Sequence, residues 1–335
     1  MIEYKITMKG IKRMSELMNL IIKEIAENKT INEICNELNI SRKKLYYYLQ
    51  LLKNKGFIFK PNYCSNGEIK YNLDCLHSIN MYNKFNDLDI SIEPVDSDLK
   101  TLVISDLHFG NELERRDLVD KLFNYCIKNN IHIILCCGDL LDGTFSKGNQ
   151  IIENGIEQIQ YFIKNYPYDK NISTLAVLGD HDFSILREYN YDPAILISRQ
   201  RHDIGIGGYN YSTINIKNDK IQLHHKFNGE PSTTINTSKI VLHGHSHKYN
   251  ANISNQNILH INVPALCGII TPIPSALEMN LKFKKKNINT ATFKQLMLIN
   301  NNIIELNEIE FLLKDINLQI ENEELIETKK KELLH

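Results

Sequence analysis

Five apolar runs, each closing in aspartate or histidine, constrain this chain more than any other feature. Leu102, Val103 and Ile104 end in Ser105-Asp106-Leu107-His108. Ile131, Ile133, Ile134 and Leu135 lead into Gly138-Asp139-Leu140-Leu141-Asp142. Residues 173–178 run into Gly179-Asp180-His181-Asp182, Ile221-Gln222-Leu223 into His224-His225, and Ile240-Val241-Leu242 into His243-Gly244-His245-Ser246-His247. Short β-branched runs bounded by turns read as buried strands. Between the first two, residues 114–129 place Leu118, Leu122, Phe123 and Cys126 at helical spacing, which makes a βαβ unit. Open α/β sheets take their ligands at the C-terminal ends of strands, where these carboxylates and imidazoles collect. Mixed oxygen and imidazole donors suit Mn, Fe, Zn or a pair of them, and the lack of cysteine there argues against a structural zinc site.

The order D-x-H, G-D-x-x-D, G-D-H-D, H and G-H-x-H resembles the calcineurin-like metallophosphoesterase family over roughly residues 98–300. The resemblance implies an α/β fold, a four-layer αββα sandwich, and two divalent cations, Mn²⁺ foremost with Fe, Zn or Mg as alternatives. It assigns one metal to Asp106, His108 and His247, the other to Asp180, His224 (or His225) and His245, with Asp139 bridging. Neighbouring strand residues face opposite ways, so only one of His224 and His225 is a ligand; His224 is the expected one. His181 is implied as a catalytic group beside the metals, with Asp139, and Asp142 as a support for the ligands or their loop. His243 is expected to pack, and His77, His132, His202, His260 and His335 to be structural or solvent-facing. The family usually has Asn where this chain has Asp180. The added carboxylate should tighten metal binding and weaken attraction for a phosphate anion.

The net charge of −1 hides an asymmetry. Residues 1–75 hold 13 Lys and Arg against 8 Asp and Glu, and the remainder 26 against 32, so a polyanion meets the N-terminal part first. Residues 11–27 form an amphipathic helix. Thr30 with Glu33 makes a capping box for a short helix over 31–38, and Ser41 caps a third over 42–55. Residues 57–59 and 69–73 read as strands around a loop at 60–68. This layout resembles a winged helix-turn-helix, which implies a third helix reading the DNA major groove through Arg42, Lys43, Lys44, Tyr46 and Tyr47.

The expected organisation is therefore a winged helix-turn-helix domain at 1–75, a polar linker at 76–99, a metallophosphoesterase domain at 100–310 and a C-terminal helix at 311–335. Residues 150–165 read as a second crossover helix, and 183–197 as helical pieces over the site. The glycine-rich stretch at 204–208 has no helix pattern after it, so a dinucleotide loop is rejected. Residues 290–298 and 303–309 are expected to build the second sheet. The tail either packs on the domain or serves a homodimer. A hydrophobic share of 42% suits a globular chain, no apolar run reaches the ~20 residues of a membrane span, and the seven scattered cysteines fit reduced thiols in a cytoplasmic protein. Three functions fit the sequence: a nuclease acting on nucleic acid, DNA first; a phosphoesterase of a small or protein-borne substrate; and a DNA-binding regulator whose metal site is only structural.

Overall fold

The structure is a computed structural model that describes residues 8–54, 58–74, 87–91, 98–145, 149–226, 238–269, 273–284, 286–299 and 302–313. The order of the chain is α1 (Met8–Ala26), α2 (Ile31–Glu37), α3 (Arg42–Asn54), β1 (Ile58–Cys64), β2 (Ile69–Asp74), β3 (Asp87–Ser91), β4 (Leu99–Ile104), α4 (Arg116–Lys128) and β5 (Ile133–Cys136). Next come α5 (Gly155–Asn165), β6 (Ser173–Leu178), α6 (Asp180–Tyr189), α7 (Pro193–Gln200), β7 (Ile204–Tyr209), β8 (Tyr211–Ile216) and β9 (Asp219–His224). The described chain closes with β10 (Ile240–His243), β11 (Asn250–Ile253), β12 (Leu259–Asn262), β13 (Ser275–Lys284), β14 (Asn287–Ile299) and β15 (Asn302–Leu312).

Two sheets carry the molecule. One has the order β15-β14-β13-β4-β5-β6-β7, the other β11-β12-β10-β9-β8-β3-β1-β2. Strands β4 to β7 are parallel, and α4 to α7 pack on one face of them. Period-two alternation sorts their side chains between two cores. Leu102, Ile104, Ile134, Cys136, Ala176 and Leu178 face the helices, while Leu99, Val103, Ile133, Leu135, Leu175 and Val177 face the other sheet. That sheet answers with Ile221, Leu223, Ile240, Leu242, Leu259 and Ile261. This alternation is what places β4, β5, β6, β9 and β10 with their C-terminal ends together.

Strands β14 and β15 do not build the second sheet as expected. They extend the first, because β13 pairs antiparallel with the open edge of β4 (Leu277 opposite Val103) and β14 and β15 follow it outward. Phe311 and Leu312, expected in a terminal helix, belong to β15, and Leu313 follows it with its N–H donating to the Asn289 carbonyl; residues 314–335 lie outside the described residues.

The N-terminal elements are joined to the body by backbone. The stretch read as a linker holds β3, which pairs parallel with both β1 and β8 and so adds the β1–β2 hairpin to the second sheet. Strand β1 also runs on to Cys64 through the expected loop. The capping box at α2 is present, with Glu33 N donating to Thr30 Oγ1 and Thr30 N to Glu33 Oε2; Lys44 N donates to Ser41 Oγ at α3. Ile21, Ile34, Leu45 and Leu49 lie in the same apolar cluster as the inter-sheet residues, so one core runs from the helices into the body.

Side-chain packing reinforces the junction. Tyr63 is buried with its hydroxyl 2.2 Å from where a Cβ on Gly205 would stand. At the hairpin tip, Gly67 has φ +80° and a Cβ there would meet the Asn171 carbonyl oxygen at 1.8 Å, so only glycine permits this approach. No helix among the described residues is long and apolar enough to cross a membrane. The six described cysteines form no disulfide among the described residues and are buried.

Candidate metal centre

The strand tips turn sharply to aim their polar groups. Asp106 (φ 52°), His108 (48°), Asp139 (51°), His245 (63°) and His247 (59°) are all left-handed. Apart from six Asn and two Lys, they are the only non-glycine residues with positive φ among those described. Such a conformation costs about 1–3 kcal/mol at each residue and persists where function over-determines it. Gly138 shares the positive φ, at +105°, without strain, and a Cβ there would lie 2.4 Å from His225 Nδ1.

Two ligand sets result. Asp139, Asp180, His225 and His245 each offer one atom within 4.8 Å of the others, as do Asp106, His108 and His247. Asp139 also groups with His108 and His181, which puts it between the sets. His225 Nε2 lies 3.0 Å from both Asp139 Oδ2 and Asp180 Oδ1, and His245 Nδ1 lies 3.4 Å from Asp180 Oδ1. His247 Nε2 is 3.3 Å from Asp106 Oδ1, and His108 Nε2 is 3.8 Å from Asp139 Oδ2.

The histidine that meets the carboxylates is His225, the residue just after β9, and the expectation of His224 is corrected. Ile221 and Leu223 face the inter-sheet core, so by alternation His225 points inward and His224 out. His224 Nε2 instead meets Gln222 Oε1 at 2.9 Å, and its ring stacks on Tyr211. The inward parity of Ile221 and Leu223 was visible in the sequence and favours His225. The remaining expected residues, Asp106, His108, Asp139, Asp180, His245, His247 and His181, converge.

Cation binding suits this donor set. Asp106 Oδ1 and both ring nitrogens of His108 are buried without a hydrogen-bond partner, an expensive state unless something polar or charged completes them. His225 donates from Nδ1 to the Cys137 carbonyl at 2.8 Å, which leaves Nε2 to face the carboxylates in the tautomer that metal-binding imidazoles adopt. His181 donates from Nδ1 to the Asp142 carbonyl at 2.6 Å, and its backbone N–H donates to Asp139 Oδ1 at 3.1 Å. Asp142 is fixed by Asn111 Nδ2 at 3.0 Å and Gln150 Nε2 at 2.8 Å, with His108 Nδ1 3.5 Å from its Oδ1.

The electrostatics are those of crowded carboxylates among imidazoles. The hydrogen bond from His225 holds the Asp180 carboxyl far below the usual range, so its negative charge is present at neutral pH. Burial would raise Asp106, but the close approach of His247 and the neighbouring imidazoles bring it down to about 2. Burial would lower His225, yet Asp139 and Asp180 carry it well above its ordinary value. Asp182 goes the other way, to about 7, through burial and repulsion from Asp139. It accepts from the N–H groups of Gly179 (2.9 Å), Leu141 (2.9 Å) and Leu140 (3.2 Å), tying the β5 and β6 tips together.

A family model described as the calcineurin-like phosphoesterase superfamily domain matches residues 99–281, more than half of the chain. The chain belongs to the calcineurin-like phosphoesterase superfamily. It is a phosphoester hydrolase with candidate residues for two metals. No curated protein matches the sequence. Among solved structures, Vps29 of Chaetomium thermophilum is 13% identical with a TM-score of 0.39, over 64% of this chain and 97% of that one. A dimetal phosphatase of Danio rerio is 9% identical with a TM-score of 0.41, over 64% and 99%. The nuclease MPE of Pseudomonas putida is 13% identical with a TM-score of 0.33, over 62% and 87%.

The residues expected to touch nucleic acid are placed differently from a free recognition helix. Arg42, Lys43, Tyr46 and Tyr47 line a cleft against the phosphoesterase body, and Lys44 lies exposed outside it. Tyr46 stacks on His202 of the body, ring centroids 3.7 Å apart, so a large flat apolar ring is covered rather than presented.

Proposed function

We propose that this phosphoesterase is a dinuclear phosphodiesterase acting on nucleic acid. The observation that carries the reading is the pair of ligand sets meeting at Asp139, with His181 beside them. Asp106, His108 and His247 would hold one cation and Asp180, His225 and His245 the other, with Asp139 within reach of both. Two divalent cations there, Mn²⁺ first, would supply positive charge for the phosphoryl oxygens and a water acidic enough to attack at neutral pH. The chain's own groups do the rest. His181, oriented by its Nδ1–H to the Asp142 carbonyl, presents Nε2 to the site. The attacking water gives one proton to solvent and its oxygen forms the new P–O bond as the bond to the leaving oxygen breaks; His181 in its imidazolium form gives that oxygen its Nε2 proton and regains one from solvent. Asp142 holds the carbonyl that sets this ring and stands beside His108.

Nucleic acid is favoured over a small phosphoester by the cationic N-terminal region on the same chain. A cytoplasmic setting, where free thiols persist, belongs to the same reading. The test is cleavage of labelled single- and double-stranded DNA with Mn²⁺ by wild type and His108→Ala. Cutting by wild type that is lost in the variant is expected. Hydrolysis of an aryl phosphodiester with both DNA forms left intact would move the substrate to a small phosphoester, and silence on every diester with two metals bound would end the catalytic reading.

A further inference from the structure

A cleft of about 1060 Å³ lies between α3 and the body, walled by residues 163–173 and 199–203. It opens at the N-terminal ends of β6 and β7, whereas Asp180 follows the C-terminal end of β6. Ser173 lines the cleft, and the seven residues from it to Asp180 span roughly 23 Å at ~3.3 Å each. Nothing bound in the cleft as a monomer reaches the candidate metals.

The lining is cationic with aromatic faces. Lys43, Lys164, Lys170 and Arg199 are exposed on it and form no ion pair among the described residues. Its acids are occupied: Asp203 pairs with Arg201 at 2.6 Å, and Asp169 accepts from Asn171 N at 2.8 Å. Arg201 is in turn spent on Asp203 and on the carbonyls of Tyr166 and Pro167. Tyr47 and Tyr168 stand on the cleft 58% and 61% exposed, large aromatic surfaces left to water. The floor is fixed by the Tyr46–His202 stack.

We propose that this cleft binds single-stranded nucleic acid, as an exosite that feeds the distant metal centre; the proposal rests on the nucleic-acid reading above. Cations tracking phosphates and open aromatics taking unpaired bases are the two parts of non-specific single-strand recognition. A duplex keeps its base faces stacked, so it offers nothing to Tyr47 and Tyr168. Reading a duplex through α3 would also need that helix free to enter the ~12 Å major groove, and α3 is backed by the body. A strand that stays stacked, at ~3.4 Å per nucleotide, would cross the distance from cleft to metals in about seven nucleotides.

The test is anisotropy of labelled dT20 and of a 20-base-pair duplex with the full chain in EDTA, which stops hydrolysis. Wild type should prefer dT20. Tyr47→Ala and Tyr168→Ala should each weaken dT20 binding roughly 5- to 150-fold. Lys43→Gln with Lys170→Gln should lower the salt slope by about 1.4. The same variants should hydrolyse bis(p-nitrophenyl) phosphate with Mn²⁺ at the wild-type rate, since that diester reaches the metals unaided. Failure of wild type to bind dT20, a preference for duplex, or variants that bind dT20 like wild type would each overturn the cleft. If the aryl diester is still hydrolysed in those cases, the phosphoesterase reading survives alone. If neither diester nor dT20 is cut but dT20 binds through these residues, the cleft survives and the nuclease reading falls.

Discussion

The two ends of β6 differ in kind. At its C-terminal end, carboxylates and imidazoles from five strand tips crowd together, strained and mostly buried. At its N-terminal end, exposed lysines, an arginine and tyrosines from two parts of the chain border an open cleft. The first end is built by local motifs, each a strand and the turn after it. The second exists only because β3 ties the β1–β2 hairpin to β8 and brings α3 against residues 163–173 and 199–203. Chemistry that demands fixed geometry is placed on rigid strand ends, and a polymer contact that tolerates variety is placed between units.

The sharpest way to break that contrast is at β9. His225→Ala should cut phosphodiester turnover at least 10²-fold and reduce bound metal from two equivalents toward one, whereas His224→Ala should stay within a few-fold on both. Metal analysis alongside aryl diester kinetics reads both, and equal losses in the two variants would refute the assignment.

Deleting residues 1–95 should be nearly as damaging, for a different reason. The second sheet would lose β1, β2 and β3, leaving the β8 edge unpaired and the core that Ile21, Leu45 and Tyr63 share uncovered. The truncated chain is expected to aggregate, and the intact one to melt in a single calorimetric transition. Two separate transitions would mean that the N-terminal elements form an independent unit.

A smaller effect is expected at Asp180. It is ionised at neutral pH, so Asp180→Asn removes one negative charge from between the ligands without removing an oxygen donor. Turnover should be kept or raised and metal affinity lowered; complete loss of turnover with two metals still bound would give Asp180 a role beyond coordination.

The smallest effect is on pH response. Asp182 and His225 have raised pKa values in the folded chain, so each favours folding while protonated and loses that contribution as pH rises. For Asp182 the loss runs from its ordinary acid range to about 7, and for His225 it begins above the ordinary histidine value. Burial lowers His224, His243, His245 and His260, which act the other way through the ordinary histidine range, so in EDTA the melting temperature should fall only above it, between about pH 8 and 9. Divalent metal displaces the His225 proton, so metal affinity and metal stabilisation should grow over the same interval. A flat profile in both conditions would show that these protons are not linked to folding or binding.

Much of the metal centre was legible in the chain because its donors sit at fixed offsets from apolar runs. Asp106, His108, Asp139, Asp180, His245 and His247 all follow a strand by a few residues, and the βαβ order puts those strand ends on one side. The choice between His224 and His225 required knowing which face of β9 is buried. Ile221 and Leu223 carried that information, but only their partners across the sheets made it plain. The helix starts at Thr30 and Ser41 were legible for the same local reason, since a cap bonds within three residues.

The pairing of strands was not legible. Nothing in residues 87–91 announces a strand that joins two units, and nothing in 290–309 says which sheet they extend. Hydrogen bonding between backbones is available to any chain segment, so the partner is decided by which edge lies open after the core has packed. The sequence by itself determined the candidate donors other than His225, and the order of the elements, because those are set by residue type and short spacing. Only the tertiary structure decided that α3 faces the body and not solvent, because that follows from β3, the close approach at Gly67 and the Tyr46–His202 stack, contacts between residues far apart in the chain.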